Sequence, residues 1–311
     1  MPEHPAAELR NATKRYGEVT ALDSVSFALE RGRVTAILGP NGAGKTTAVK
    51  LLLGLSRPTK GAARLFGGEP RDIAARRRTG VMLQIARVPD TLKVREHIHL
   101  FSSYYPSPMT VDQALATAGL GAVAGRKYGD LSGGQRQRLQ FALAICGNPD
   151  MLFLDEPTVG LDVESRRGFW QEVRRLASSG RTIVLTTHYL EEADALADRI
   201  IVLSTGRVVA DGPPHAIKAR AGGRRVRCVT ALDDGTLAAL PGVHSMRRDG
   251  TAVELLTGDA EGLARELLAR DRSLAGLEIS GAGLEEAFMA LTSPAGVGVA
   301  SATPQTLGAQ R

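Results

Sequence analysis

Residues 39–47 read Gly-Pro-Asn-Gly-Ala-Gly-Lys-Thr-Thr, a glycine-rich loop that ends in a lysine and two hydroxyls. Glycines at 39, 42 and 44 let backbone N–H groups turn toward one anion, and the apolar helical stretch from Val49 to Leu55 adds the partial positive charge of a helix N-terminus. In such a loop Lys45 brings a full charge to the β and γ phosphates of a nucleoside triphosphate, and Thr46 offers a hydroxyl to Mg²⁺. Further along, Asp155 and Glu156 stand side by side after an apolar run. Two adjacent carboxylates there need cations or hydrogen-bond donors. An Mg²⁺ near the triphosphate accounts for Asp155, and Glu156 is left to polarise the attacking water. His188 follows the run from Thr182 to Thr187, where a neutral imidazole can touch the terminal phosphate or orient the nucleophile.

These groups need strands to present them. Short apolar runs predict buried strands at Val34–Leu38, Gly80–Leu83, Met151–Leu154 and Thr182–Thr187, with helix-period stretches among them. That alternation predicts an α/β fold, a P-loop NTPase with a mainly parallel sheet covered by helices. Each run ends in a polar group: Gly39, Gln84, the pair Asp155 and Glu156, and His188. Ligands in open α/β sheets bind at the carboxyl ends of the strands, so these endings should face one site. Tyr16 lies ahead of the loop and offers a ring face to adenine. His97 and His99, two apart in a helical stretch, do not share a face and read as surface or packing residues.

A second stretch, Leu131-Ser-Gly-Gly-Gln135, carries no nucleophile. Ser132 followed three residues later by Gln135 is a capping-box pattern, and Leu139, Ala142, Leu143 and Cys146 follow at helical spacing. The stretch therefore starts a helix, and with Gly133 and Gly134 lacking side chains its amides are open to an anion. One reading is a capped helix with a glycine loop. The other is a second phosphate-binding element, although the first loop already serves one triphosphate.

At this point the sequence resembles the ATP-binding subunits of ABC transporters. The resemblance rests on GPNGAGKTT, LSGGQ, LFLDEP, Gly160-Leu161-Asp162 and His188, in the family's order, over about residues 6–215. It implies that Gly39, Asn41, Gly42, Gly44, Lys45, Thr46 and Thr47 hold ATP with Mg²⁺. It also implies that Ser132, Gly134 and Gln135 face the γ-phosphate held by the other subunit of a head-to-tail dimer. Gln84 would touch the metal and the water while sensing a membrane subunit, so that Thr46, Gln84 and Asp155 form the metal set and Glu156, His188 and Gln84 the catalytic set. Asp162 would belong to the loop linking the two sites. Leu83 stands where the family often has proline. A helical subdomain at about 85–145 would receive a polytopic membrane permease.

The last third changes character. Val226–Thr230, Val243–Met246 and Ala252–Leu256 read as strands, and Glu261–Ala269 and Leu284–Leu291 as helices. The β-α-β-β-α-β order with a closing helix predicts a small ferredoxin-like α+β accessory domain at 221–292, following an ATP-binding domain at 6–220. Residues 293–311 are small and polar, as in a disordered tail. The ending LEEAFMALT resembles the close of the extension in ATPases paired with ABC-2-type permeases, which implies export of a drug, antibiotic or lipid-like substrate.

Composition bounds the alternatives. The 311 residues are 43% hydrophobic and 23% charged, suited to more than one globular domain. There is no membrane-length apolar run, and the first ten residues lack the pattern of a signal peptide, so a soluble, cytoplasmic protein is expected; the resemblance to transporter subunits implies a peripheral place on the inner face of the cell membrane. Cys146 and Cys228 stand apart and read as buried thiols. The formal charge of +6 chooses no partner by itself. The basic clusters Arg76–Arg78 and Arg220, Arg224, Arg225, Arg227 lack interleaved aromatics, and residues 221–287 contain none, which disfavours nucleic acid. A soluble ABC-type ATPase acting on nucleic acid or ribosomes is the alternative reading. A single cassette without zinc-type cysteines or a long coiled coil speaks against it, as the C-terminal extension speaks against an importer.

Overall fold

The computed structural model describes residues 4–83, 88–220, 223–281 and 283–292. The chain divides into two compact units, Met1–Pro213 and Pro214–Arg311. In the first, the strands are β1 (Ala7–Tyr16), β2 (Val19–Leu29), β3 (Val34–Leu38), β4 (Lys60–Leu65) and β5 (Thr79–Met82), then β6 (Met151–Asp155), β7 (Thr182–Thr186), β8 (Arg199–Ser204) and β9 (Arg207–Gly212). Its helices are α1 (Lys45–Leu52), α2 (Ile73–Arg77), α3 (Val94–Ser102) and α4 (Val111–Thr117), then α5 (Gly133–Ile145), α6 (Val163–Ser178) and α7 (Leu190–Leu196).

Six strands form one sheet in the order β5-β6-β7-β3-β8-β9, parallel except for β9. Every residue of β3, β6 and β7 is buried, the pattern of strands covered on both faces, which is why they read as unbroken apolar runs. The last hairpin turns at Thr205 and Gly206, both at positive φ, the geometry that two-residue hairpin turns favour.

A second, antiparallel sheet, β2-β1-β4, was not anticipated from sequence. Its register shifts repeatedly along β1, where Asn11 takes φ +46°, and each bulge breaks the alternation that marks a half-buried strand. Leu9, Leu22, Phe27 and Leu29 of this sheet join Val49, Leu51 and Leu52 of α1, Ile37 of β3 and Phe153 of β6 in one core. α1 is thereby fixed between the sheets, and with it the loop at its N-terminus. Between β5 and β6, α3, α4 and α5 pack on one another.

The second unit runs α8 (Pro214–Ala219), β10 (Arg224–Val229), α9 (Asp234–Ala238), β11 (Val243–Asp249), β12 (Ala252–Thr257), α10 (Ala260–Arg270), β13 (Ala275–Gly281) and α11 (Leu284–Thr292). Its antiparallel sheet has the order β11-β12-β10-β13, a β-α-β-β-α-β unit whose Val226, Cys228, Val253 and Leu255 face Leu263 and Leu267. The division at Pro213/Pro214, ahead of the boundary expected after residue 220, follows from α8 packing on α11. Residues 293–311 lie outside the described residues.

Candidate functional site

The glycine loop joins β3 to α1 and closes on Lys45, whose Nζ donates to the carbonyls of Gly39 at 2.6 Å and Pro40 at 3.1 Å. Burial holds Lys45 below the ordinary lysine range, and the charges of Glu156 and Asp155 oppose that effect. Gly44 takes φ +103°, and a Cβ there would lie 2.6 Å from the carbonyl oxygen of Ala21. At Gly39 a Cβ would lie 2.4 Å from the carbonyl oxygen of Leu203. Neither position accepts a side chain, whereas Gly42 faces open space at φ +80°. Asn41 and Thr46 are exposed and Thr47 is half-buried. Tyr16 ends β1, the residue 48% exposed and its ring centroid 4.8 Å from Lys14 Nζ.

Strands β6 and β7 are adjacent and parallel, with Asp155 opposite Thr186. Asp155 is buried and accepts a hydrogen bond from the Thr186 hydroxyl. Glu156 follows at φ +54°, a left-handed conformation that costs a residue with a Cβ and turns its side chain away from the strand direction. Two contacts hold that backbone: the Glu156 N–H donates to Thr186 O at 2.9 Å, and Gln137 Nε2 of α5 donates to Pro157 O at 2.8 Å and Glu156 O at 3.3 Å. Glu156 Oε2 sits 2.5 Å from His188 Nδ1 and also accepts the His188 backbone N–H at 3.3 Å. A carboxylate at Nδ1 fixes the imidazole tautomer and leaves Nε2 for another partner.

Ser132 caps α5 as its spacing predicts. Ser132 Oγ accepts the Gln135 N–H at 3.3 Å, and Gln135 Oε1 accepts the Ser132 N–H at 3.1 Å. A Cβ added at Gly133 would meet nothing within 4 Å, and one at Gly134 only Leu161 at 3.4 Å, so the helix start is open to a close partner. Asp162 caps α6, accepting the Ser165 N–H and hydroxyl, each at 2.8 Å; these bonds hold its carboxyl below the usual range. Gln84 lies outside the described residues.

Sequence reasoning brought Lys45, Asp155, Glu156 and His188 to one edge of one sheet, and the electrostatic coupling of Lys45 to both carboxylates is the structural counterpart. It missed Gln137 and Thr186. Gln137 carried no signal beyond lying one turn into a capped helix, and Thr186 reads as one more strand residue until β6 and β7 are paired. His97 is buried, its Nε2 3.0 Å from Pro89 O and its ring edge-on to Tyr128, a packing role as expected. Both cysteines are buried thiols. The arginine clusters are partly consumed by ion pairs: Arg78 with Asp150, Arg224 with Glu261, and Arg225 with Glu254 and Glu286.

With this geometry in view, comparison with known proteins is decisive. A family model described as ABC transporter matches residues 22–159. The Nod factor export ATP-binding protein I of Burkholderia orbicola is 43% identical over 218 residues, covering 68% of this chain and 71% of the relative. The chain belongs to the ABC transporter ATP-binding proteins. The protein of the same name from Ralstonia nicotianae is 40% identical, covering 68% of each chain. Among solved structures, an ATP-binding subunit of an ABC transporter matches with a TM-score of 0.64 at 26% identity, covering 70% of this chain and 93% of that one. The dimeric structure of MJ0796, a bacterial ABC transporter cassette, matches with a TM-score of 0.61 at 28% identity, covering 67% and 98%. The protein is therefore an ATP-binding, ABC-type ATPase coupled to transport. Among the described residues, no helix is long and apolar enough to cross a membrane.

Proposed function

We propose that this chain is the ATP-hydrolysing subunit of an exporter. It works as a head-to-tail dimer at the inner face of a membrane and drives a separately encoded polytopic permease through Gln84 and the helices α3–α5. The observation that carries the hydrolytic part is the pairing of Glu156 with His188 beside Lys45 at the carboxyl ends of β3, β6 and β7. Lys45 neutralises phosphate charge, Glu156 takes the proton of the attacking water, and His188 orients the carboxylate and presents Nε2 toward the γ-phosphate. Gly39, Asn41, Gly42, Gly44, Thr46 and Thr47 cradle the phosphates, Tyr16 stacks on the adenine, and Asp162 links the paired sites. Ser132, Gly134 and Gln135 complete the site of the opposite subunit, which the open helix start at Gly133 can accommodate.

The donor set fits Mg²⁺. Asp155 is a buried carboxylate oriented by the Thr186 hydroxyl, and Thr46 is exposed in the first turn of α1. When bound, Mg²⁺ supplies charge neutralisation at the β and γ phosphates.

Export as the direction follows the relatives named for Nod factor export and the C-terminal extension, and it gives a drug, antibiotic or lipid-like substrate, chosen by the permease. Reconstitution of the chain with its permease in vesicles tests this. ATP-driven extrusion that disappears with Glu156→Gln is expected; uptake, or transport indifferent to that substitution, overturns it.

A further inference from the structure

Glu192 is a fully buried carboxyl in the first turn of α7, and the hydrolytic reading leaves it unused. Its Oε1 accepts the indole N–H of Trp170, a residue of α6, at 3.0 Å. The hydroxyls of Thr187 and Thr158 lie near enough to the same carboxyl to favour its charged form. Glu192 Oε2 and Thr158 Oγ1 are both buried without a hydrogen-bond partner.

The neighbours occupy informative places. Thr158 is two residues beyond Glu156, Thr187 immediately precedes His188, and Trp170 belongs to the helix capped by Asp162. One carboxyl thus meets the three segments that carry the expected base, the expected histidine and the expected link between sites. Burial raises the affinity of Glu192 for a proton, the charge of Glu156 adds to it, and the three donors only partly offset these effects.

We infer that Glu192 is a positioning residue for hydrolysis: through Trp170 it ties the start of α7, four residues after His188, to α6, and so holds His188 in its 2.5 Å contact with Glu156. This role rests on the reading of Glu156 and His188 as the hydrolytic pair. A displaced carboxylate loses alignment with the water without losing the nucleotide, so the damage falls on kcat.

The test compares Glu192→Ala, Glu192→Gln and Trp170→Phe in the full chain by steady-state ATPase rate, affinity for a fluorescent ATP analogue and thermal melting. Glu192→Ala should lower kcat by about 10- to 100-fold while nucleotide affinity stays within about threefold of the parent. Glutamine keeps an acceptor for Trp170 and a donor for threonine, so Glu192→Gln should recover most of that loss, and Trp170→Phe should fall between. A folded Glu192→Ala with parental kcat, or Glu192→Gln as impaired as alanine, overturns the inference. If the alanine variant does not fold, Trp170→Phe decides, and parental kcat there overturns it equally. Glu156→Gln measured alongside separates the two readings: parental hydrolysis in that variant removes the base, whereas parental hydrolysis in Glu192→Ala removes only the positioning role.

Discussion

Glu156 Oε2 receives both the backbone N–H and the ring Nδ1 of His188, at 3.3 and 2.5 Å, so one carboxylate oxygen joins the ends of two adjacent strands. The side chain of Glu156 is 11% exposed and that of His188 is 53% exposed, placing the carboxylate inside the site and the imidazole at its mouth. Glu156→Gln preserves shape and most hydrogen bonds but removes the basic oxygen. Hydrolysis should fall about 10²- to 10⁴-fold, the range of a general-base contribution, with ATP still bound. Single-turnover rates and retained nucleotide on a sizing column measure both. His188→Ala should lower hydrolysis as well, and parental turnover in either variant would falsify that variant's role.

Lys45 makes a different kind of contribution. Its ammonium donates to the Gly39 and Pro40 carbonyls, within the loop where phosphate charge must be met. Hydrogen bonds to a charged partner contribute about 1.5–3 kcal/mol, so Lys45→Ala should weaken ATP binding about 10- to 100-fold. Isothermal titration separates this loss of affinity from the kcat effects of Glu156. Unchanged affinity would remove Lys45 from the phosphate site.

The legible part of this site is the part whose chemistry constrains residue type. A loop that must present amides admits only glycine at 39 and 44, and strands covered on both faces admit only apolar runs, so the loop, β3, β6 and β7 are legible in the sequence. Long-range partners of ordinary type did not. Gln137, Thr186 and Glu192 act through contacts spanning 19 to 31 positions, such as Gln137 to Glu156 and Thr186 to Asp155, and nothing in their local sequence marks the distant partner. The β2-β1-β4 sheet was hidden for another reason: bulges at Asn11 and its neighbours erase the two-residue period.

The loop glycines should not be equivalent to substitution. Gly44→Ala combines a left-handed φ of +103° with a Cβ 2.6 Å from a backbone carbonyl that cannot move freely. Gly42→Ala meets only the conformational strain at φ +80°, of order 1–3 kcal/mol. Urea melts should therefore rank Gly44→Ala as less stable than Gly42→Ala. The reverse order would mean that the loop opens at Gly44 to relieve the contact.

Glu192 gives a pH-dependent stability with a defined sign. Its folded-state affinity for protons is raised by burial and by the charge of Glu156, so the folded state binds more protons than the unfolded one. The resulting stability is fully present below the ordinary glutamate range and declines as pH rises from there through the folded value. Glu192→Gln removes that dependence. Relative to the parent, the variant should gain melting temperature as pH rises from the acidic side to neutrality, and a constant difference would show that Glu192 titrates normally.

The open helix start at Ser132 carries the most specific claim, that its phosphate belongs to the other subunit. Ser132→Arg places bulk and charge at a start where Gly133 has no neighbour within 4 Å, and Lys45→Ala disables the loop. Each homodimer should be inactive. If one site is built from the loop of one subunit and the signature of its partner, a mixed dimer has one site with both defects and one intact. Random pairing of equal amounts makes half of the dimers mixed, so independent sites should recover about a quarter of parental activity. If loop and signature of the same chain formed the site, every site would carry one defect and nothing would recover. Strict coupling between sites would also silence the mixed dimer, so occupancy must be measured as well. With Glu156→Gln added to both chains, the mixed dimer should trap one nucleotide per pair, because trapping needs only an assembled site and not its hydrolytic step. Zero trapped nucleotide, in variants that melt like the parent, would place the signature back within its own chain.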